Sequence, residues 1–155
     1  MSFRDTASYG KRQEYIAVAE LLRRDFDVYM TLVDDQGIDC VIRLNEKRYL
    51  DIQIKARSKN AKNWNVFSAM TFTARNNLYF IFYTEKNDSY WIFPSIVLDK
   101  ICYSVKTGDH IGKRRIDLPK KEEGDKAELF EKYRNDAGFS LLRKQPPKVF
   151  FEKMK

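Results

Sequence analysis

The segment from Leu50 to Lys55 constrains the fold more than any other, because apolar and polar residues alternate strictly along it. Successive side chains of a β-strand point to opposite faces of the sheet, so its three apolar residues are expected to face a core. A preceding apolar run, 38–44, is joined to it by the polar residues 45–48. The two segments predict adjacent strands linked by a short turn. The polar face of the second strand carries Asp51, Gln53 and Lys55.

An amphipathic helix is predicted before these strands, from about Thr6 to Arg24. Its apolar residues follow the i, i+3, i+4, i+7 and i+11 spacing of one buried stripe. At about 100° per residue, Glu14 lies roughly 80° from the centre of that stripe, and Glu20 roughly 160° away. Of these two glutamates, only Glu14 is therefore expected to face the sheet. The stripe consists of Tyr15, Val18, Ala19, Leu22 and Phe26.

Patterns in the rest of the chain add further strands and helices. Besides a first strand at 28–33, the nearly continuous apolar run 78–84 predicts a buried central strand. The segment around 64–72 predicts either a short helix or a strand. No linker or internal repeat interrupts the chain, so we expect one domain over residues 1–155. The remaining predicted elements are a strand at 90–93, a short helix to about 101, an edge strand at 113–118 and a C-terminal helix. This last helix is predicted at 126–133, with an extension to 142 left open.

The net charge of +7 is unevenly distributed, with no acidic residue between Asp51 and Glu85. Such an interval is the expected footprint of phosphate-backbone binding; the alternative is a solvated basic loop that keeps the protein soluble. Trp64 lies in this polar, basic stretch, where it is a candidate either for contact with a base or sugar or for simple packing. The basic residues of the interval are Lys55, Arg57, Lys59, Lys62 and Arg75.

Several classes of protein are disfavoured by the sequence. No apolar run approaches the roughly 18 residues of a membrane span, and the first residues lack the apolar core of a signal peptide, so we expect a cytoplasmic protein without a membrane partner. Cys40 and Cys102 are too few for a disulfide framework and are expected to be reduced packing residues. His110 is the only histidine, which argues against a histidine-based zinc site.

The polar residues of the two strands carry a resemblance to a nuclease family. Asp39 stands at the start of the first strand, Gln53-Ile54-Lys55 ends the second, and Glu14 lies on the preceding helix. In this order the chain resembles the PD-(D/E)-x-K nuclease superfamily, in the variant group where Gln replaces the acidic residue before x-Lys. Ile38 stands where the nominal motif has proline. The resemblance implies an α/β restriction-endonuclease-like αβββαβ core over about residues 6–100, with a mixed central sheet flanked by helices, and a C-terminal extension at 101–155.

The resemblance also implies a role for each matching residue. Glu14, Asp39 and Gln53 would bind a metal ion, and Lys55 would assist the nucleophile, so all four are predicted catalytic residues. The implied cofactor is Mg²⁺, with Mn²⁺ expected to substitute; Mg²⁺ takes only one or two carboxylates and keeps several waters. Asp51 is open to three interpretations: an extra ligand, a partner of Lys55, or an exposed strand residue. The residues expected to contact nucleic acid are Arg57, Lys59, Lys62 and Trp64.

Three functions are compatible with this pattern. The leading hypothesis is a metal-dependent DNA endonuclease that hydrolyses phosphodiester bonds. The first alternative is a nucleic-acid-binding protein that kept the nuclease fold without catalysis, since the neutral Gln53 replaces a charged ligand. The second is a protein-interaction domain with no nucleic-acid role. Many enzymes of this fold cut DNA as dimers, so a homodimer is implied by analogy.

Overall fold

A five-stranded mixed sheet lies at the centre of the structure, a computed structural model that describes residues 2–33 and 36–145. A three-stranded sheet and four α-helices surround it within the described residues. In chain order the elements are α1 (Phe3–Arg23), β1 (Asp27–Met30), β2 (Cys40–Asn45), β3 (Arg48–Arg57), β4 (Val66–Met70), β5 (Leu78–Thr84), a 3₁₀ turn (Glu85–Asn87), β6 (Ser89–Pro94), α2 (Ser95–Ile101), β7 (Tyr103–Ser104), β8 (Arg114–Asp117), α3 (Asp125–Glu131) and α4 (Asn135–Leu141).

The central sheet has the strand order β1-β2-β3-β5-β6. The first three strands form an antiparallel meander, β5 is parallel to β3, and β6 is antiparallel to β5. This mixed sheet flanked by helices confirms the predicted α/β class. The connection between the two parallel strands contains β4, which resolves the open choice between helix and strand in that segment in favour of a strand.

Each face of the central sheet is covered by a different layer. The alternation along β3 is confirmed, because Leu50, Ile52 and Ile54 are all buried beneath α1 and α4. On the opposite face, Phe80 and Phe82 of β5 are packed against the smaller sheet, α2 and α3. The side chains of Gln53 and Lys55 therefore project from the face of the central sheet that is opposite to α1. Groups from the two faces can meet only where the sheet has an open edge.

The stripe predicted for α1 is wrong in most of its members. Val18 and Phe26 are buried, but Tyr15, Ala19 and Leu22 are exposed, and the sheet is met instead by a stripe centred on Ala17 and Leu21. Two apolar stripes run along this helix, and periodicity alone does not say which one is covered. The stripe containing the small Ala17 lies against the strands, where a short side chain permits close approach.

Glu20 was expected on the solvent face, and this expectation is also wrong. Its side chain is only 13% exposed and forms ion pairs at 2.7 Å with both Arg23 and Arg24. Arg24 continues the contact by stacking over the ring of Phe139 in α4. Glu20 thus faces α4 on one flank of the helix, which accounts for its low exposure without any role in a site.

Two predictions in the C-terminal half need correction. The strand predicted at an edge, β8, lies in the middle of the order β4-β8-β7. The C-terminal helix predicted at 126–133 is found as α3, but its continuous extension to 142 is wrong: the chain is interrupted before α4, where the carbonyl of Tyr133 accepts a hydrogen bond from the amide of Ile92 at 2.7 Å. The interruption therefore lets the chain pair with β6.

Within residues 2–33 and 36–145, no helix is both long enough and apolar enough to span a membrane.

Candidate active site

Asp39 directly precedes β2, at the point where β3 extends beyond the end of that strand. The register between the two strands starts with the pair Cys40 and Ile52, and β3 continues to Arg57. Just before this pair, the amide of Asp39 donates to the carbonyl of Ile52 at 2.8 Å. The Asp39 carboxylate is buried, and its Oδ2 accepts a hydrogen bond from the amide of Ile54 at 2.6 Å. This carboxylate is therefore fixed to the β3 backbone between Gln53 and Lys55.

Gln53 lies against the turn that leads into Asp39. Gly37 in this turn has a φ angle of +67°, and a Cβ atom at that position would lie 2.8 Å from Nε2 of Gln53. A left-handed φ is accessible to glycine without steric cost, and the missing side chain leaves room for the amide. Gly37 thus serves both the turn and the position of Gln53. In the sequence, Gly37 ends the run Asp34-Asp35-Gln36-Gly37, which predicts a turn but gives no sign of the contact with Gln53.

Glu14 and Lys55 line one cleft at the open edge of β3, with a volume of about 220 Å³. Gly10 and Glu14 come from α1, and Phe67 and Ser68 come from β4, so the helix and the smaller sheet form its walls. Residues 54–57 form its floor. Asp39 and Gln53 are not among its lining residues. The structure thus brings the four predicted catalytic residues to one end of β3, with Asp39 and Gln53 beside the cleft that Glu14 and Lys55 line.

The electrostatic environment links Asp39 to Glu14. Burial raises the pKa of the Cys40 thiol to about 12, and the negative charges of Asp39 and Glu14 contribute to this rise. The ammonium group of Lys11 forms an ion pair with Oε2 of Glu14. This hydrogen bond raises the pKa of Lys11, and the charge of Asp39 acts in the same direction. Both carboxylates therefore lie close enough to act on the same two neighbours.

The donor set at this end of β3 fits a hard divalent cation. Asp39 and Glu14 offer carboxylate oxygens and Gln53 offers an amide oxygen, which is the ligand chemistry that Mg²⁺ or Mn²⁺ prefers. The ammonium of Lys11 is a cation that already contacts one of these carboxylates, that of Glu14. In the described part of the chain, no three His, Cys, Asp or Glu side chains cluster as a metal site. Such an ion would therefore depend on Gln53 and on water to complete its coordination.

Two of the predicted DNA-contacting residues have structural partners. Arg57 donates from Nε to the carbonyl of Val66 at 2.8 Å, and burial lowers the pKa of its guanidinium. It therefore ties β3 to β4 at the cleft. Trp64 is only 9% exposed, with its ring 5.6 Å from Nζ of Lys86. Of the two interpretations of this tryptophan, the structure favours packing, and an exposed base-stacking platform is not present at this residue.

The acid-free interval of the sequence is less basic in three dimensions. Arg75 forms an ion pair with Asp51 at 2.6 Å, which gives Asp51 a partner that the sequence did not suggest. Glu85 accepts a hydrogen bond from the amide of Lys59 at 2.9 Å, so this acidic residue returns beside the basic loop. The side chains of Lys59 and Lys62 are exposed. These two lysines remain the basic residues of the interval that are best placed to meet a polyanion.

Comparison with known proteins identifies the fold. No protein-family model and no curated protein sequence matches the chain. Among solved structures, the bacterial homing endonuclease I-Ssp6803I matches 86% of this chain and 90% of its own, with 22% identity and a TM-score of 0.61. The Holliday junction resolvase Hjc of Archaeoglobus fulgidus matches 70% of this chain and 84% of its own, with 16% identity and a TM-score of 0.46. The chain therefore has the α/β fold of the homing endonuclease.

Proposed function

We propose that this protein is a metal-dependent endonuclease that hydrolyses phosphodiester bonds in DNA. The observation that carries the proposal is the Asp39 carboxylate fixed to the β3 backbone between Gln53 and Lys55. Glu14 lies in the adjoining cleft with Lys55. A fold shared with a homing endonuclease supports the same chemistry, as an analogy of fold.

Each residue of the site receives a role from its chemistry. Asp39, Glu14 and Gln53 would hold Mg²⁺, for which Mn²⁺ would substitute, and the bound ion would polarise the phosphoryl group under attack. Lys55 lines the cleft, where its ammonium group would orient the attacking water or offset the charge that develops at phosphorus. Arg57 would hold the wall of the cleft in position. Lys59 and Lys62 would contact the phosphate backbone.

A cleavage assay on several DNA forms tests this function. The purified protein is incubated with supercoiled, linear and branched DNA, in Mg²⁺, in Mn²⁺ and in excess chelator. We expect nicking or cutting of at least one form with either metal, and none with chelator. DNA that is bound but never cut would refute the enzyme and favour the alternative below. Neither binding nor cutting would refute both.

The second candidate function is DNA binding without catalysis on the same fold. It is favoured by the neutral Gln53 at a ligand position and by the lack, in residues 2–33 and 36–145, of a cluster of three acidic, histidine or cysteine ligands. A site with less negative charge binds a divalent ion less tightly. Under this candidate, DNA affinity would fall with rising salt while cleavage stayed absent in every metal.

Replacing both Lys59 and Lys62 by glutamine is expected to weaken DNA binding. Each lysine that neutralises a phosphate contributes about 0.9 to the slope of log affinity against log salt, so the slope should fall by about 2. Fluorescence anisotropy with a labelled duplex at several salt concentrations measures this slope. The matched control replaces Lys120 and Lys121, which are also exposed, with the same loss of charge. Equal effects of the two variants would mean that binding follows net charge rather than this loop.

A homodimer remains part of the proposal. The edge strand β1 and the outer side of α1 expose large apolar side chains, among them Tyr15, Leu22 and Met30. Large contiguous apolar patches mark protein–protein contacts, and we propose that these side chains form such a patch. Light scattering should give twice the chain mass of 18.4 kDa. A monomer at high concentration would contradict the dimer and leave the proposed chemistry intact.

A further inference from the structure

We propose that the ammonium group of Lys11 is a built-in counter-ion of the carboxylate site, which a divalent cation must displace from Glu14 in order to bind. The inference rests on the proposed function and adds to it a means by which the chain sets its own metal affinity. Lys11 does not belong to the motif that identified the site. Its position three residues before Glu14 on α1 is nevertheless visible in the sequence.

The contact itself has the geometry of a displaceable cation. Lys11 and Glu14 are one helical turn apart, where side chains of a helix meet, and Nζ of Lys11 is bonded to Oε2 of Glu14. The Glu14 side chain is 18% exposed, whereas that of Lys11 is 57% exposed. The carboxylate is thus held at the cleft, while the lysine can move into solvent without unfolding any element.

The negative charges of Asp39 and Glu14 explain why a cation is favourable at this contact. Asp39 and Glu14 both act on Cys40, and Asp39 as well as Glu14 acts on Lys11. Two neighbouring carboxylates repel each other, and a positive charge between or beside them relieves that repulsion. In the metal-free protein Lys11 supplies part of this charge. A divalent ion that takes over the same task must first break the bond between Lys11 and Glu14.

The adjacent Arg12 provides a matched control. It is exposed, carries the same charge on the same turn of α1, and its guanidinium lies 5.9 Å from the centre of the Tyr9 ring. Loss of either Lys11 or Arg12 changes the net charge equally. Only the loss of Lys11 removes a cation that is bonded to Glu14.

The test measures Mn²⁺ binding to the full chain by electron paramagnetic resonance at fixed ionic strength. Lys11→Gln should bind Mn²⁺ about threefold more tightly than the wild type, since an ion pair of this kind no longer competes. Arg12→Gln should stay within about 1.5-fold of the wild type, because exposed charges are screened by salt. In a Glu14→Gln background, Lys11→Gln should give no gain, because the partner of the lysine is gone. Circular dichroism confirms that each variant is folded.

Each outcome decides the proposal. Unchanged or weaker Mn²⁺ binding by Lys11→Gln overturns it, as does an equal gain in Arg12→Gln or a gain that persists without Glu14. If the wild type cleaves DNA and binds Mn²⁺ while Lys11→Gln binds no more tightly, only the role of Lys11 fails. If the wild type binds no Mn²⁺ at millimolar concentration, the metal site fails and this inference falls with it.

Discussion

Replacing Asp39 by alanine is expected to abolish metal-dependent DNA cleavage. The proposed site loses one of its two carboxylates, and several kcal/mol of lost charge stabilisation corresponds to a rate reduction of at least about 10³-fold. The amide of Ile54 also loses the acceptor that it contacts at 2.6 Å in a buried position. An unsatisfied buried donor costs about 1–3 kcal/mol, so the free energy of unfolding should fall as well.

Asp39→Asn separates the catalytic effect from the structural one. An asparagine oxygen can still accept the hydrogen bond from Ile54, so the free energy of unfolding should stay closer to that of the wild type than in Asp39→Ala. Cleavage should nevertheless be lost, because the negative charge is gone. Nicking of supercoiled plasmid and urea unfolding measure the two effects. Asp51→Asn is the control, because Asp51 is paired with Arg75. This variant should change the cleavage rate by less than about threefold. A fully active Asp39→Asn would mean that Asp39 only supports the fold.

Local sequence pattern was sufficient for the strands β2, β3 and β5 and for the approach of Asp39 to β3. The alternation from Leu50 to Lys55 specifies both the strand and its buried face, because a side-chain period of two has only one arrangement that covers the apolar residues. Antiparallel pairing with the preceding segment then brings Asp39 beside the end of that strand. The continuous apolar run of β5 likewise predicts its bounds correctly, since a strand buried on both faces has few polar interruptions.

Contacts between distant segments were not predictable in the same way. Arg57, Arg75 and Trp64 were read from local charge and polarity, but their environments are set by Val66, Asp51 and Lys86. These partners depend on how the connection through β4 folds back on the sheet. The prediction of which face of α1 is buried was wrong for a related reason. The helix has two apolar stripes, and only tertiary packing determines which of them is covered. The four predicted catalytic residues therefore lie at one end of β3, where their function stays a prediction, while the basic character of the surroundings was overestimated.

Replacing Gly37 by alanine is expected to weaken metal binding through Gln53. The new Cβ would lie 2.8 Å from Nε2 of Gln53, which is the end of a flexible side chain that can move away at little cost. The backbone at φ +67° is unfavourable for alanine by about 1–2 kcal/mol, which sets the expected loss of stability. The displaced amide oxygen would leave the ion with one ligand fewer. We expect Mn²⁺ affinity to fall about tenfold, and the cleavage rate at low Mn²⁺ to fall with it.

Gly108→Ala is the matched control for this effect. Gly108 also has a left-handed φ, of +83°, but a Cβ atom there would meet no atom within 4 Å. The two variants should therefore lose similar free energy of unfolding, and only Gly37→Ala should lose Mn²⁺ affinity. Titration of both variants with Mn²⁺ and urea provides the comparison. If the two bind Mn²⁺ equally well, the side-chain oxygen of Gln53 is not a metal ligand. The site would then depend on the Asp39 and Glu14 carboxylates, and the non-catalytic DNA-binding candidate would gain support because only two protein ligands would remain to hold a divalent ion.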